Sequence, residues 1–296
     1  MKKDKERLQV IENIKNAIEN KKFNSKVEEN DHIVTSEERE KIILKYDTRK
    51  KKLRNKAKTI VARSITDSLT DFFNLSTEIK GLENIKNIKT GAIITSNHFS
   101  KIDNTIIRYL MHKIGKRRKF DIIVQEANIF MPGTLGWLLK NNRTIPINKS
   151  TKYITNNFEP TLEKLFQKKH FILIYPEEEM WFNYKLPRPG KIGAYHYACK
   201  YNIPIIPCFI EMQNTDKMGE NGFLVQKYIL HIMPPIYPDN TKDFKTEKEN
   251  LRKKDYELKV AKYEEVYHKK LDYTFSEEDI AGWNWNKNYA NFKSLF

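Results

Sequence analysis

The sequence is poor in cysteine and short of negative charge. Two cysteines in 296 residues, Cys199 and Cys208, are too few for a disulfide framework or a thiolate metal site. A reducing compartment is the resulting expectation. No run of about 18 uninterrupted apolar residues occurs, so no transmembrane helix is expected. The opening stretch, MKKDKERLQVIENIKNAIENKK, lacks the apolar core of a secretory signal. Internal repeats, a glycine-rich phosphate loop and a G-x-S-x-G elbow are absent, which argues against solenoids, P-loop enzymes and serine hydrolases of that type. No spacing of metal ligands stands out, and no metal site is expected.

What is present supports one core. The chain is 39% hydrophobic and 12% aromatic, and its length suits a medium α/β domain with extensions. A formal charge of +16 points to anionic partners: membrane phospholipid, the phosphates of a coenzyme or carrier, or nucleic acid.

Three parts can be read along the chain. Residues 1–78 form a basic, helical N-terminal extension. Leu8, Ile11, Ile14 and Ile18 recur at helical steps, Asn30 to Val34 break the pattern, and a second helical piece follows from Ser36. This arm reads as a solvated helix resting on the body or on a second copy. The densest basic cluster, Arg49 to Lys58, runs into a stripe of Val61, Ile65, Leu69, Phe72 and Phe73. That combination suits a membrane surface, where basic residues meet anionic head groups and the stripe inserts. The alternative is that the stripe packs on the body. Residues 79–240 alternate strand and helix patterns, and residues 241–296 form a charged helical tail ending near Trp283 and Trp285, with helix expected to about Asp272.

The chemistry concentrates at residues 91–104. Ala92 to Thr95 reads as a buried strand. Ser100 is expected to open a helix whose apolar face runs through Ile102, Ile106, Leu110, Ile107, Met111 and Ile114. His98 then lies at a strand's carboxyl end, the edge where open α/β sheets place their sites. Asp103 in the next half-turn can hold the imidazole through Nδ1–H and stabilise the imidazolium. A capping box from Ser100 to Asp103 is the structural alternative.

Further blocks follow in order. Phe120 to Val124 is a strand, and Asn142 to Lys149 holds another. Residues 158–169 are helical. Phe171 to Tyr175 is an apolar strand ending in Pro176-Glu177-Glu178-Glu179. Trp181 to Tyr184 is an aromatic loop that could cover an acyl chain, meet a bilayer interface, or form a satellite of the core. Lys191, Gly193 and Ala198 mark a helix start close to the sheet, with His196 on a helix face. Asn202 to Ile210, with Pro204 and Pro207, is a strand, and Phe223 to Met233 another.

Asn97-His98 with Asp103 resembles the H-x4-D motif of the glycerolipid acyltransferases. Tyr175-Pro176-Glu177 is similar to the start of that family's F-P-E-G-T-R-S block. The Lys191-x-Gly193-x4-Ala198 segment and Ile203-Pro-Ile-Ile-Pro207 also follow the family's order. The resemblance covers about residues 85–240. It implies an α/β fold, a mixed, largely parallel sheet flanked by helices, with helical N- and C-terminal extensions. It also implies that residues 79–240 are the catalytic domain and that the reaction is acyl transfer from acyl-CoA or acyl carrier protein to a lysophospholipid hydroxyl. No resident cofactor is implied, because the thioester is a co-substrate.

By the same resemblance His98 is the general base, Asp103 its orienting acid, and Glu177 a supporting or acceptor contact. The family's acceptor-binding arginine aligns with Lys149, with Arg143 upstream. The chain departs from the second block at Glu178, Glu179, Met180 and Trp181. Met180 stands where the family has arginine, so Lys149, Lys191, Arg188 or Lys185 would have to supply that charge. The expected partners are the thioester donor, the lysolipid acceptor and an anionic membrane surface. The expected location is cytoplasmic, peripheral on the inner face of the membrane. Two rivals remain: an acceptor without phosphate, such as a glycolipid, and an inactive fold binding membrane or nucleic acid. No aromatic residue interrupts Arg49 to Lys58, which counts against nucleic acid.

Overall fold

The computed structural model describes residues 2–28, 53–129, 131, 133–219 and 222–284. The predicted break at Asn30 to Val34, the helical piece from Ser36, the basic residues Arg49 to Lys52, and Trp285 lie outside these. Helix α1 (Lys2–Glu19) and helix α2 (Leu53–Phe73) precede the sheet. The order then runs β1 (Glu78–Lys80), β2 (Ala92–Thr95), α3 (Asn104–Lys113), β3 (Phe120–Gln125), α4 (Gly133–Asn141), β4 (Thr144–Ile147), α5 (Glu159–Gln167) and β5 (Phe171–Ile174). It closes with α6 (Gly193–Tyr201), β6 (Ile205–Met218), β7 (Leu224–Ile232) and α7 (Phe244–Tyr267).

Among the described residues the strands form one seven-stranded sheet in the order β1-β7-β6-β2-β5-β3-β4. The five strands from β6 to β4 run parallel, while β7 is antiparallel to β6 and parallel to β1. The expected mixed, largely parallel sheet is therefore present. Strand β2 sits second in the parallel block and is buried along its whole length. Such a strand must be apolar on both faces. Ala92 and Ile94 pack under Leu110 and Met111 of α3, and Ile93 packs with Leu162, Ala198 and Leu251 on the other face.

Several expectations are corrected. Helix α1 is not solvated: Leu8, Ile11, Ile14 and Ile18 are buried with Trp181, Phe209 and Tyr263 in a third apolar cluster. The arm thus shares the core of the body. The aromatic run 181–184 does not form a lid, because Trp181, Phe182 and Tyr184 are buried in that same cluster. Trp283 joins them. Helix α3 starts at Asn104, not Ser100, which leaves Ile102 on the surface at 42% exposure. Helix α7 ends at Tyr267, before the expected Asp272.

Helix α2 is packed with its polarity reversed. Ala62, Thr66, Thr70 and Asn74, spaced one turn apart, turn toward the body. Asn74 Nδ2 donates to Thr70 O at 2.8 Å and to Thr105 Oγ1 at 3.1 Å, and Asn142 Nδ2 donates to Thr66 Oγ1 at 2.8 Å. The apolar stripe faces outward, with Phe72 at 68% and Leu75, just past the helix, at 75% exposure. Packing on the sheet is therefore not the role of this stripe. Because Asn74 meets Thr105, the exposed end of α2 stands beside the start of α3, near the carboxyl edge of β2.

Candidate active site

The sheet delivers His98 to the carboxyl end of β2. Asn97 fixes that end: its amide donates to Ile210 O at 3.0 Å and accepts from Ile210 N at 2.9 Å, standing in for a strand residue between β2 and β6. The chain then leaves the sheet, and the next two residues are held from the far side. His98 O accepts from Trp181 N at 3.1 Å, and Phe99 O from Asn183 N at 3.1 Å.

The Asp103 carboxylate is the hub. Its Oδ2 accepts from His98 Nδ1 at 2.8 Å, Phe99 N at 2.9 Å and Ser100 N at 3.1 Å. Its Oδ1 accepts from Tyr175 Oη at 2.7 Å. Asp103 occupies the position before α3, yet its side chain caps no helical N–H. It reaches backward to the histidine loop instead, and of a Ser100–Asp103 capping box only the Ser100 N–H to carboxylate half is formed. Each hydrogen bond to an ionised group is worth about 1.5–3 kcal/mol net, and four of them keep this carboxylate fixed although it is buried.

That arrangement assigns the imidazole tautomer. A carboxylate only accepts, so Nδ1 carries a proton, and in the neutral ring the lone pair sits on Nε2. The ring is stacked on Tyr175 with centroids 4.0 Å apart and planes 15° apart. Burial, with Asp103 and Glu177 nearby, pushes the Tyr175 phenol well above its usual range. The phenol therefore stays protonated and donates to Asp103. The histidine side chain is 20% exposed, against 0% for that of Asp103, so the acid is sealed while the ring reaches the surface.

Behind the histidine lies a second buried pair. Glu177 Oε2 accepts from the His98 backbone N–H at 3.2 Å and from Arg188 Nη2 at 2.8 Å, and Glu177 Oε1 accepts from Arg188 N at 2.9 Å. Arg188 also donates to Phe23 O at 2.8 Å and to Glu179 O, and lies over the Trp181 ring at 4.3 Å. Burial lowers its pKa from the ordinary arginine value, and the adjacent Glu177 opposes that shift.

Not every basic residue singled out in the sequence reaches this edge. Arg143 precedes β4, at the opposite end of the sheet, where its nearest carboxylate is Asp121 at 3.9 Å. It is removed from the acceptor side by the parallel direction of β4 and β2. The Arg188 guanidinium is buried and bonded on several sides, so it is committed to the protein. Lys149, just past the carboxyl end of β4, and Lys191 are exposed on the site's side. Lys191 N donates to Pro176 O at 2.7 Å. Lys185 donates to Glu278 O at 2.7 Å and is engaged away from the histidine.

Sequence reading missed Tyr175 as more than an aromatic placeholder, and it missed the N-terminal contacts to Arg188. Glu178 was visible only as an odd residue in glycine's place; its φ of 63° now explains the family's preference there. The close approach expected at Gly193 falls at Gly190. A Cβ on Gly190 would come within 2.5 Å of Pro176 Cβ, whereas one on Gly193 would meet nothing within 4 Å.

With this geometry in place, comparison with known proteins is direct. Residues 76–211 match the model of the acyltransferase family. That region, a little under half of the chain, is similar to the acyltransferase family, and the chain's resemblances lie with the glycerolipid acyltransferases. It is 27% identical over 167 residues to the 1-acyl-sn-glycerol-3-phosphate acyltransferase BAT2, chloroplastic, of Brassica napus, covering 54% of this chain and 45% of that protein. It is 25% identical over 155 residues to LPAT1, chloroplastic, of Arabidopsis thaliana, an enzyme of the same name, covering 52% and 40%. The matched region thus spans less than half the length of these relatives. The crystal structure of the 1-acyl-sn-glycerophosphate acyltransferase PlsC from Thermotoga maritima shares the fold at a TM-score of 0.50 and 19% identity, over 78% of this chain and 89% of that one.

Proposed function

We propose that this protein transfers a fatty acyl group from a thioester to the hydroxyl of a lysophospholipid of the 1-acylglycerol-3-phosphate type. The observation that carries the reading is the 2.8 Å contact between His98 Nδ1 and a sealed Asp103, which directs Nε2 outward. Nε2 takes the proton as the acceptor oxygen attacks the thioester carbonyl carbon. The new C–O bond forms, the C–S bond breaks, and the departing thiolate recovers the proton from the imidazolium. Asp103 stabilises that cation while it lasts, and Tyr175 holds Asp103 from the other side. General-base help of this kind contributes about 10²–10⁴ in rate. The thioester, acyl-CoA or acyl carrier protein, is a co-substrate in this scheme, and no resident cofactor takes part.

Lys149 and Lys191 are the basic residues we assign to the acceptor side. Glu177 and Arg188 support the histidine loop from behind. Membrane contact is assigned to α2: its outward Val61, Ile65, Leu69 and Phe72 follow the basic cluster Arg49 to Lys58 in sequence. No helix among the described residues is long and apolar enough to cross a membrane. The reading therefore puts the protein on the inner, cytoplasmic surface of a membrane, bound from one side.

A second reading has one observation in its favour. Met180 replaces the family's arginine, and Arg188 is committed to Glu177. An acceptor without phosphate, such as a glycolipid, suits that arrangement. Incubation with labelled acyl donors and a mixture of phosphorylated and neutral lysolipids, with products identified by mass, separates the two. Product made only from phosphorylated acceptors supports the first reading, and full activity in a folded His98→Ala protein overturns both.

A further inference from the structure

The histidine loop is supported by a segment that lies 74 residues earlier in sequence, counted from Asn24 to His98. Residues 23–25 leave α1 and cross the back of the Glu177–Arg188 pair. The Asn24 side-chain amide donates to Glu177 O at 3.2 Å and to Pro189 O at 2.9 Å, tying together the two stretches that hold the pair. Phe23 O accepts from Arg188 Nη1 at 2.8 Å, and Ser25 O accepts from Trp181 Nε1 at 2.9 Å. Each of the partners Glu177, Arg188 and Trp181 in turn bonds the backbone of His98.

We propose that residues 23–25 are a positioning element for His98, acting through Glu177, Arg188 and Trp181. This rests on the acyl-transfer reading of the histidine. The chain's own departures from the family's pattern fit together at this point. Trp181 stands where the family has serine, and its indole ring lies under the guanidinium of Arg188 while its N–H reaches the N-terminal strap. Arg188 is thereby held as a clamp between three main-chain segments: 23, 98 and 179. The N-terminal arm is consequently a working part of the site and not an appendage to it. The magnitude follows from how steeply rate depends on alignment: a misplacement of about 1 Å can cost about 100-fold. Partial loosening of the strap is expected to cost about 10-fold.

The test is Asn24→Asp, which replaces an amide donor by a group that cannot donate, while the main-chain bonds of Phe23 and Ser25 remain. Trp181→Phe, which removes the N–H to Ser25 O, is the second variant. Both should lower kcat about 10-fold with KM for the thioester changed less than about twofold. Ile203→Val, a core change in another cluster, sets the level expected from mild destabilisation alone and should keep its kcat. Combining Asn24→Asp with Glu177→Gln should lower kcat little more than the stronger single change, because the two act through one path. A wild-type kcat in Asn24→Asp, or losses that multiply in the double variant, overturns the proposal. Hydrogen exchange supplies an arm that needs no activity. Amides 97–100 should exchange faster in Asn24→Asp, with those of β5 unchanged, and unaltered exchange at 97–100 overturns the proposal even where acyl transfer itself is not found.

Discussion

Two histidine–aspartate pairs stand at opposite ends of the same sheet. At the carboxyl end His98 Nδ1 meets Asp103 at 2.8 Å, and at the amino end His170 Nδ1 meets Asp121 at 2.5 Å. By enclosure the second pair is the more protected. It is shut in, with 9% and 8% side-chain exposure, and Asp121 also faces Arg143. Its histidine directly precedes β5 and its aspartate belongs to β3, so the pair closes the sheet edge. The first pair has a sealed acid and a reachable ring, at the edge where strands point their ends outward. A hydrogen-bonded imidazole is thus not a signature of catalysis by itself. On the acyl-transfer reading, direction of the strands and access to the second nitrogen make the difference.

The sharpest way to break this contrast is to remove each histidine. His98→Ala should lower kcat at least about 10³-fold while its melting temperature stays near that of the parent. His170→Ala should do the reverse, leaving Asp121 short of its partner and costing about 3 kcal/mol in denaturant unfolding, with kcat within a few-fold. If both lose activity alike, the two ends are not functionally distinct. Asp103→Asn is the next largest effect, about 10²–10³-fold in kcat, because an amide can present the wrong group to Nδ1. Tyr175→Phe keeps the stacked ring and loses one donor to Asp103, so a smaller fall of about 10-fold is expected.

The contrast extends to α2, where the polar face is buried and the apolar face is not. Phe72→Asp with Leu75→Asp should weaken sedimentation with anionic vesicles by at least about 10-fold. Turnover of a water-soluble short-chain thioester and acceptor should be unaffected; loss of both would mean that the stripe supports the fold. The smallest change is expected at the loop before Trp181. Glu178→Gly relieves a left-handed backbone at a position that favours glycine and should stabilise the protein by up to about 1 kcal/mol, read as a rise in denaturant midpoint.

Much of the site was legible in order along the chain. The β-branched run Ala92 to Thr95, the histidine after it and the acid five residues on could be read because they are local, and strand periodicity fixes which edge they occupy. The pairing of His170 with Asp121 was not legible, since 49 residues separate them and neither sits in a motif. Arg188 was misread for a related reason. Its charge was visible, but its burial against Glu177 and Trp181 depends on a loop fold and on Phe23. The arm was misread as well, because the same spacing of Leu8, Ile11, Ile14 and Ile18 describes a helix on a surface and a helix in a core.

The sequence by itself determined the strands of the parallel block and the His98–Asp103 pair, because each depends on residues close together in the chain whose spacing has one favourable geometry. Tertiary structure alone decided which face of α2 is wet, which arginines are spent inside the protein, and that residues 23–25 brace the histidine. Those outcomes depend on which distant surfaces exclude water from one another, and no local pattern encodes that.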